Sequence, residues 1–344
     1  MKSCGGNASV KGQAGAGEFA LALNPAAAPA ARGGKGQKGG SPAASELLAL
    51  RGRYDLNRQE ATLSALSMSI PPLTGGPSQA SGRANGGFRL QKPLGLKFSD
   101  GLQLAGLDMA FQPGGRLTAD ASLATGNMRL KAALQSLPFG FFALFTDAPL
   151  PGGELGLTAD ITTSSQGPRG NVTVKSRIKP AGSQTGLVKA RADGSGAAGA
   201  PLSGGPAEAL DLTLTAALSA NAVSGSGVFG RASAPDGSKE GKLAFRIPLR
   251  PSPDGTPAPD SRAPMTASLR WDGSVAPLWR AVPVPDRYLS GQLLLDATVA
   301  GTMEAPRPAL TAYLGQGRYE DIADGVLLTD IRLEAKLTPD GNLN

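Results

Sequence analysis

The chain has 344 residues and a formal charge of +7, with 48 glycines, 28 prolines and only 5% aromatic side chains. So much Gly and Pro within apolar segments excludes an all-helical protein and favours repetitive β-structure with frequent turns. The absence of histidine excludes Ser-His-Asp and Cys-His catalysis and His-based metal sites, and the single Cys4 has no partner for an intramolecular disulfide.

Residues 1–45 are rich in Gly, Ala, Ser, Lys and Pro and read as a flexible tail, with a strand remnant at Phe19–Leu23 and a linker from Ala26 to Ala44. The opening Met-Lys-Ser-Cys-Gly-Gly leads into no apolar h-region, so no signal peptide is read there. No run of about 18 apolar residues exists to span a membrane as a helix. From about residue 47, apolar side chains fall at every second position, the period of a strand with one apolar face. Leu48 and Leu50 begin the series, and Leu66, Met68 and Ile70 close a second segment at Pro71-Pro72. Phe88 and Leu90, Leu94 to Phe98, Leu102 to Phe111 and Leu117 to Leu123 continue it, with a Ser99-Asp100-Gly101 turn on the way. Leu137 to Phe145 breaks the rhythm, because Phe139, Phe141, Phe142, Leu144 and Phe145 are too crowded for period 2. A short apolar helix ended by Asp147-Ala148-Pro149 is expected there, with one buried strand as the alternative.

Strands resume at Leu155, Leu157, Ala159 and Ile161, and the cleanest row is Leu210, Leu212, Leu214, Ala216 and Leu218. Leu243, Phe245, Ile247 and Leu249 form another, and Met265, Ala267, Leu269 and Trp271 precede a second break from Val275 to Val284. Ala192–Pro206 and Arg250–Ala263 read as loops. Beyond the second break come Leu293, Leu295, Ala297 and Val299, then Leu310, Ala312 and Leu314, then Ile331, Leu333, Ala335 and Leu337. The two breaks match at one offset of 138 residues: Gly153 falls on Gly291 (153 to 291), and Pro168-Arg169 on Pro306-Arg307 (168 to 306). A unit of short helix, Gly-initiated strand, Pro-Arg turn and return strand therefore occurs twice, the sign of a solenoid or a growing sheet. The organisation expected is a tail at 1–45, a first β-region at 46–135, a second unit at 136–273 and a third, truncated unit at 274–344.

Leu289-Ser-Gly-Gln-Leu-Leu-Leu-Asp-Ala-Thr-Val-Ala-Gly-Thr-Met-Glu-Ala-Pro306-Arg-Pro resembles the "G-x-L-x-L-x-x-x-V-x-G-T-x-x-x-P" repeat of TamB-type translocation and assembly module proteins, relatives of the AsmA-like group. Gly317-Arg-Tyr-Glu-Asp-Ile-Ala-Asp-Gly325-Val-Leu-Leu-Thr-Asp330-Ile-Arg-Leu is similar to that family's "G-x-Y…G-x-x-L-x-D-I-x-L" segment, and Pro277-Leu278-Trp279 to the short helix before it. The likeness covers about 275 to 340, is weaker over 134 to 180, and is compositional elsewhere. It implies a Gram-negative inner-membrane-anchored protein whose periplasmic part is a long curled β-sheet with an apolar groove. It also implies carriage of phospholipid between membranes and an outer-membrane barrel partner of the Omp85 type in envelope-protein assembly. The anchoring helix is not in this sequence, so the chain reads as an internal fragment.

The fold class expected is all-β: an elongated, curled antiparallel or mixed sheet with one or two short helices. About fourteen strands at about 4.8 Å spacing make a ribbon roughly 65 Å long. Its groove-lining side chains are expected to be Leu210, Leu212, Leu214, Leu218, Leu243, Phe245, Ile247, Leu269, Trp271, Leu293, Leu295, Val299, Leu310, Leu314, Ile331, Leu333 and Leu337. Acyl chains are the expected occupants, since each buried CH₂ gains about 0.8 kcal/mol without a specific contact. No cofactor, metal or catalytic residue is expected. The same apolar face closed on itself, as in a sandwich or a secreted β-solenoid passenger or adhesin, is the alternative. An outer-membrane barrel would need aromatic girdles that four Tyr and two Trp do not furnish. Basic residues are scattered on polar sides of strands, as Lys175, Arg177 and Lys179 are, which fits a solvated face or weak attraction to anionic lipid head groups. No basic cluster interleaved with aromatics points to nucleic acid. Gly34–Gly39, Gly194–Gly199 and Gly225–Gly230 match G-x-G-x-x-G, as so Gly-rich a chain does by chance, and none links a strand to a helix. Adjacent Glu320 and Asp321 would point to opposite faces and are expected in a loop.

Overall fold

The computed structural model describes residues 4–13, 15–25, 47–70, 86–124, 127–144, 151–179, 208–251, 257–281 and 287–342. The described residues form nineteen strands. They are β1 (Cys4–Gln13), β2 (Ala16–Pro25), β3 (Leu48–Asp55), β4 (Glu60–Ile70), β5 (Gly86–Leu90), β6 (Leu94–Lys97), β7 (Leu102–Gln112), β8 (Arg116–Ala124), β9 (Asn127–Pro138), β10 (Gly152–Ser164), β11 (Gly167–Lys179), β12 (Leu210–Ser219), β13 (Ala222–Arg231), β14 (Gly241–Pro251), β15 (Pro257–Pro259), β16 (Thr266–Ser274), β17 (Arg287–Gly301), β18 (Pro306–Asp321) and β19 (Val326–Leu337). A 3-10 helix (Phe139–Leu144) follows β9, a 3-10 turn (Asp236–Ser238) precedes β14, and one α-helix, α1 (Ala276–Ala281), joins β16 to β17. The protein is therefore all-β with short helices at both breaks in the alternation. The described pairings that fix register are antiparallel, so the "mixed" option falls away.

Contacts divide the chain into two units, Met1–Thr146 with Thr158–Ser165, and Asp147–Leu157 with Gln166–Asn344. In the first, β1 to β9 form a meander in which β5 and β6 share the place of one strand between β4 and β7. Pro93, which has no N–H for a ladder, sits in the gap between these two. In the second, β11 to β19 form another meander, each strand beside its neighbour in sequence, with β14 shared by β15 and β16.

Two expectations about loops are corrected. Residues 4–13 and 16–25, read as part of a tail with a strand remnant, are the paired strands β1 and β2, and β2 pairs with β3 through Phe19↔Gly52, Leu21↔Leu50 and Leu23↔Leu48. The period of β1 is hard to see because Gly5, Gly6, Ala8 and Gly12 carry almost no side chain. Arg250–Ala263 is not a plain loop, since Pro257–Pro259 pairs with the end of β14. The linker Ala26–Ala44, the loop Ala192–Pro206 and the stop Asp147-Ala148-Pro149 lie outside the described residues.

The repeat seen in sequence has a structural counterpart. At one offset the 3-10 helix falls on α1, β10 on β17 and β11 on β18. Gly153 and Gly291 both take left-handed backbone angles, with φ of 128° and 134°, where L side chains are strained. A second device explains many glycines paired with few rings. Phe19 lies over its partner Gly52, Tyr54 over Gly17, Phe245 over Gly225 and Phe229 over Gly241, so a Cβ at each glycine would strike the ring. Such pairs hold register by fitting one large side chain into the gap left by none.

Candidate functional site

Cross-strand register determines which side chains share a face, because directly opposed residues in an antiparallel ladder point the same way. Across the second unit one row runs Val174, Leu214, Gly227, Leu243, Leu269, Ala297, Leu310 and Leu337. The next runs Ser176, Leu212, Phe229, Gly241, Trp271, Leu295, Ala312 and Ala335. Every side chain expected to line an apolar groove falls on this single face: Leu218 and Ile247 lie to one side with Phe245 and Val299, and Leu210, Leu293, Leu314, Leu333 and Ile331 to the other.

Burial along that face is graded. Trp271 is 1% exposed and stacks on Phe229, ring centroids 5.3 Å apart. Leu210, Val275 and Leu314 are buried near that end. There α1 lies against both β17 and β12, although β13, β14 and β16 stand between them in the ladder. Trp279 of α1 donates its indole N–H to the Arg287 carbonyl at 3.0 Å and meets the Tyr319 ring edge-on. The remaining lining residues are half-buried, apart from Leu333, which is 53% exposed.

The first unit carries a second apolar face that sequence reasoning did not single out. Leu21, Leu50 and Leu66 form one row; Met68, Phe88 and Phe111 another; Met109, Leu117 and Leu134 a third. Its alternation was visible, but it lies outside the stretch carrying the family-like motifs. Here too a short helix sits on the face: Phe141 of the 3-10 helix meets Phe111 edge-on at 5.2 Å, and Phe111 in turn meets Phe88.

Most charged side chains of the second unit lie on the opposite face or at the strand ends, and several are paired. Arg177 binds the Asp211 carboxylate through two hydrogen bonds of 2.8 and 3.0 Å, and this holds the Asp211 carboxyl below its ordinary range. Lys239 is buried and donates to the Arg231 carbonyl at 2.7 Å. Burial pushes the Glu240 carboxyl up, but bonds from the Arg231 side chain and backbone outweigh it and leave the group lowered. Glu320 and Asp321, expected in a loop, are the last residues of β18 and face opposite sides, as adjacency required. Asp321 is buried and accepts from Arg287 Nε at 2.9 Å and from the Asp324 N–H at 3.1 Å, so it closes the β18–β19 turn. The Gly225–Gly230 match is strand β13, which offers no phosphate-cradling loop, and the other two matches lie outside the described residues. Among the described residues no three acidic or thiol side chains gather to hold a metal ion, and no helix is long and apolar enough to cross a membrane. No family model, curated protein or solved structure matches the chain.

Proposed function

We propose that this chain is a non-enzymatic lipid-carrying segment of a bacterial cell envelope, with acyl chains lying along the apolar sheet face. The observation that carries this reading is the largely apolar face of the second unit, most of whose leucines stay half-buried. A closed core buries its leucines almost completely, whereas a path for lipid leaves room on them. Each methylene laid on that face gains about 0.8 kcal/mol, and carriage needs no catalytic group. The resemblance of residues 275–340 to TamB-type proteins adds periplasmic placement, transfer between inner and outer membranes, an inner-membrane anchor in a longer protein, and a barrel partner of the Omp85 type to the proposal.

The test is in-cell photocrosslinking from a probe residue at Leu214 or Leu295. Phospholipid adducts at both, and none from the opposite-face Thr298, are expected. Adducts at no inward position in a well-expressed protein would sink the reading. The second reading, a closed passenger-like core, is favoured only by the Trp271 end, where burial is complete. It predicts that Leu214 and Leu295 stay dry.

A further inference from the structure

On the other face of the second unit, β12, β13, β14 and β16 leave an open depression of about 440 Å³, lined by Lys242, Arg270, Thr213, Thr215, Ser226 and Ser268, with Val228 standing between Thr213 and Lys242. Its floor is low because the cross-strand row Thr215, Ser226, Ala244, Ser268 consists of small residues. Its rim is basic, because Lys242 and Arg270 are directly opposed on neighbouring strands. Like charges opposed at about 5 Å destabilise a sheet unless something neutralises them. Asp296 takes only the Nε of Arg270, at 2.9 Å. Among the described residues the Lys242 ammonium has no acceptor, and the hydroxyls of Thr213, Thr215, Ser226 and Ser268 have no partner. Arg246, on the same face of β14 two steps along from Lys242, and Lys175, opposite Thr213, add further cations, while the bordering acids are Asp296, Asp272 and Asp211, the last bound by Arg177.

We propose that this depression binds a phosphate group, with Lys242 and the free nitrogens of Arg270 taking its charged oxygens and the hydroxyls completing the shell. Ammonium and guanidinium donors beside several hydroxyls are the set a tetrahedral oxyanion needs, and an arriving anion relieves the Lys242–Arg270 repulsion. The phosphate belongs either to an anionic lipid head group or to a free phosphate ester or ion. The site faces away from the apolar surface, so the inference stands apart from the lipid-path reading.

The experiment uses the whole chain at low ionic strength, with inorganic phosphate in calorimetric titration and phosphatidylglycerol or phosphatidylcholine vesicles in flotation. Saturable phosphate binding that weakens roughly tenfold in Lys242→Gln, and further in Lys242→Gln/Arg270→Gln, is expected. Binding to phosphatidylglycerol vesicles alone, lost in the same variants, assigns the site to head groups. Lys336→Gln, an exposed lysine on the same face of β19, is the charge-matched control, and circular dichroism verifies folding. No saturable binding to either probe, or equal loss in Lys336→Gln, overturns the proposal. Adducts from a Leu214 probe persist in the double variant, so failure here is separable from failure of the lipid path.

Discussion

Trp271 is the largest fully buried side chain among the described residues, filling the row between Gly241 and Leu295 and stacking on Phe229. Its indole N–H has no acceptor. Trp271→Ala is expected to cost about 3–5 kcal/mol in denaturant unfolding, while Trp271→Phe, which removes the orphaned donor and keeps most of the ring, costs about 1–2 kcal/mol. Leu333→Ala, at a side chain already 53% exposed, should cost less than about 1 kcal/mol. The buried acids make a second residue-scale test. The N–H of Asp324, with Arg287 beside it, lowers the Asp321 carboxyl below 3.8, and Arg116 does the same for Asp108 through bonds of 2.7 and 2.6 Å. A folded carboxyl below its unfolded value stabilises fully above the ordinary carboxylate range and loses that contribution as pH falls through the folded value. Thermal unfolding of the wild type should therefore drop steeply in acid below about pH 4, and Asp321→Asn should flatten that limb while lowering Tm at neutral pH.

Strands were legible wherever the inward residue was large. Leu210 to Leu218 and Leu293 to Val299 could be read directly, whereas β1 could not, since its small side chains show no period. The breaks at Phe139 and Ala276 stood out because crowding or loss of alternation cannot be a half-buried strand, and both became short helices. Turns were read through Gly and Pro, so the turn after Asp55 was not singled out, and Glu320 and Asp321 were read as a loop without the closing role of Asp321. Asp55 accepts from the Asn57 and Arg58 N–H groups much as Asp321 accepts from that of Asp324. The shared signal was in the sequence, Gly52-Arg-Tyr-Asp before one turn and Gly317-Arg-Tyr-Glu-Asp before the other. The opposed pair Lys242–Arg270 was not legible, because which charges meet is set by register between strands some thirty residues apart. At this scale α1 is the testable element. Trp279→Ala removes its anchor to Arg287 and Tyr319 and should cost about 1–2 kcal/mol. Amides of α1 should then exchange faster with solvent, while the interior of β17 keeps its protection.

In the whole molecule each meander has to do something with an apolar face, and the choice between a filled core and a lipid path has different costs for a charge. In a filled core a new cation is trapped without a partner, which costs several kcal/mol and unfolds a marginal domain. On a half-buried face the long stem of Arg can lie on the leucines while its head reaches water. Leu214 is half-buried beside Val174, and its own Cδ1 lies over the partner Gly227. Leu214→Arg is therefore expected to shift unfolding free energy by less than about 2 kcal/mol yet to abolish phospholipid adducts from a probe at Leu295, because the cation blocks the acyl path. Trp271→Arg, at the filled end, should unfold the protein, and Thr298→Arg on the opposite face should change neither quantity. If Leu214→Arg collapses the fold as Trp271→Arg does, the face is a core along its whole length and carries no lipid. If Leu214→Arg leaves the adducts intact, the lipid lies elsewhere and the half-burial of these leucines has another cause.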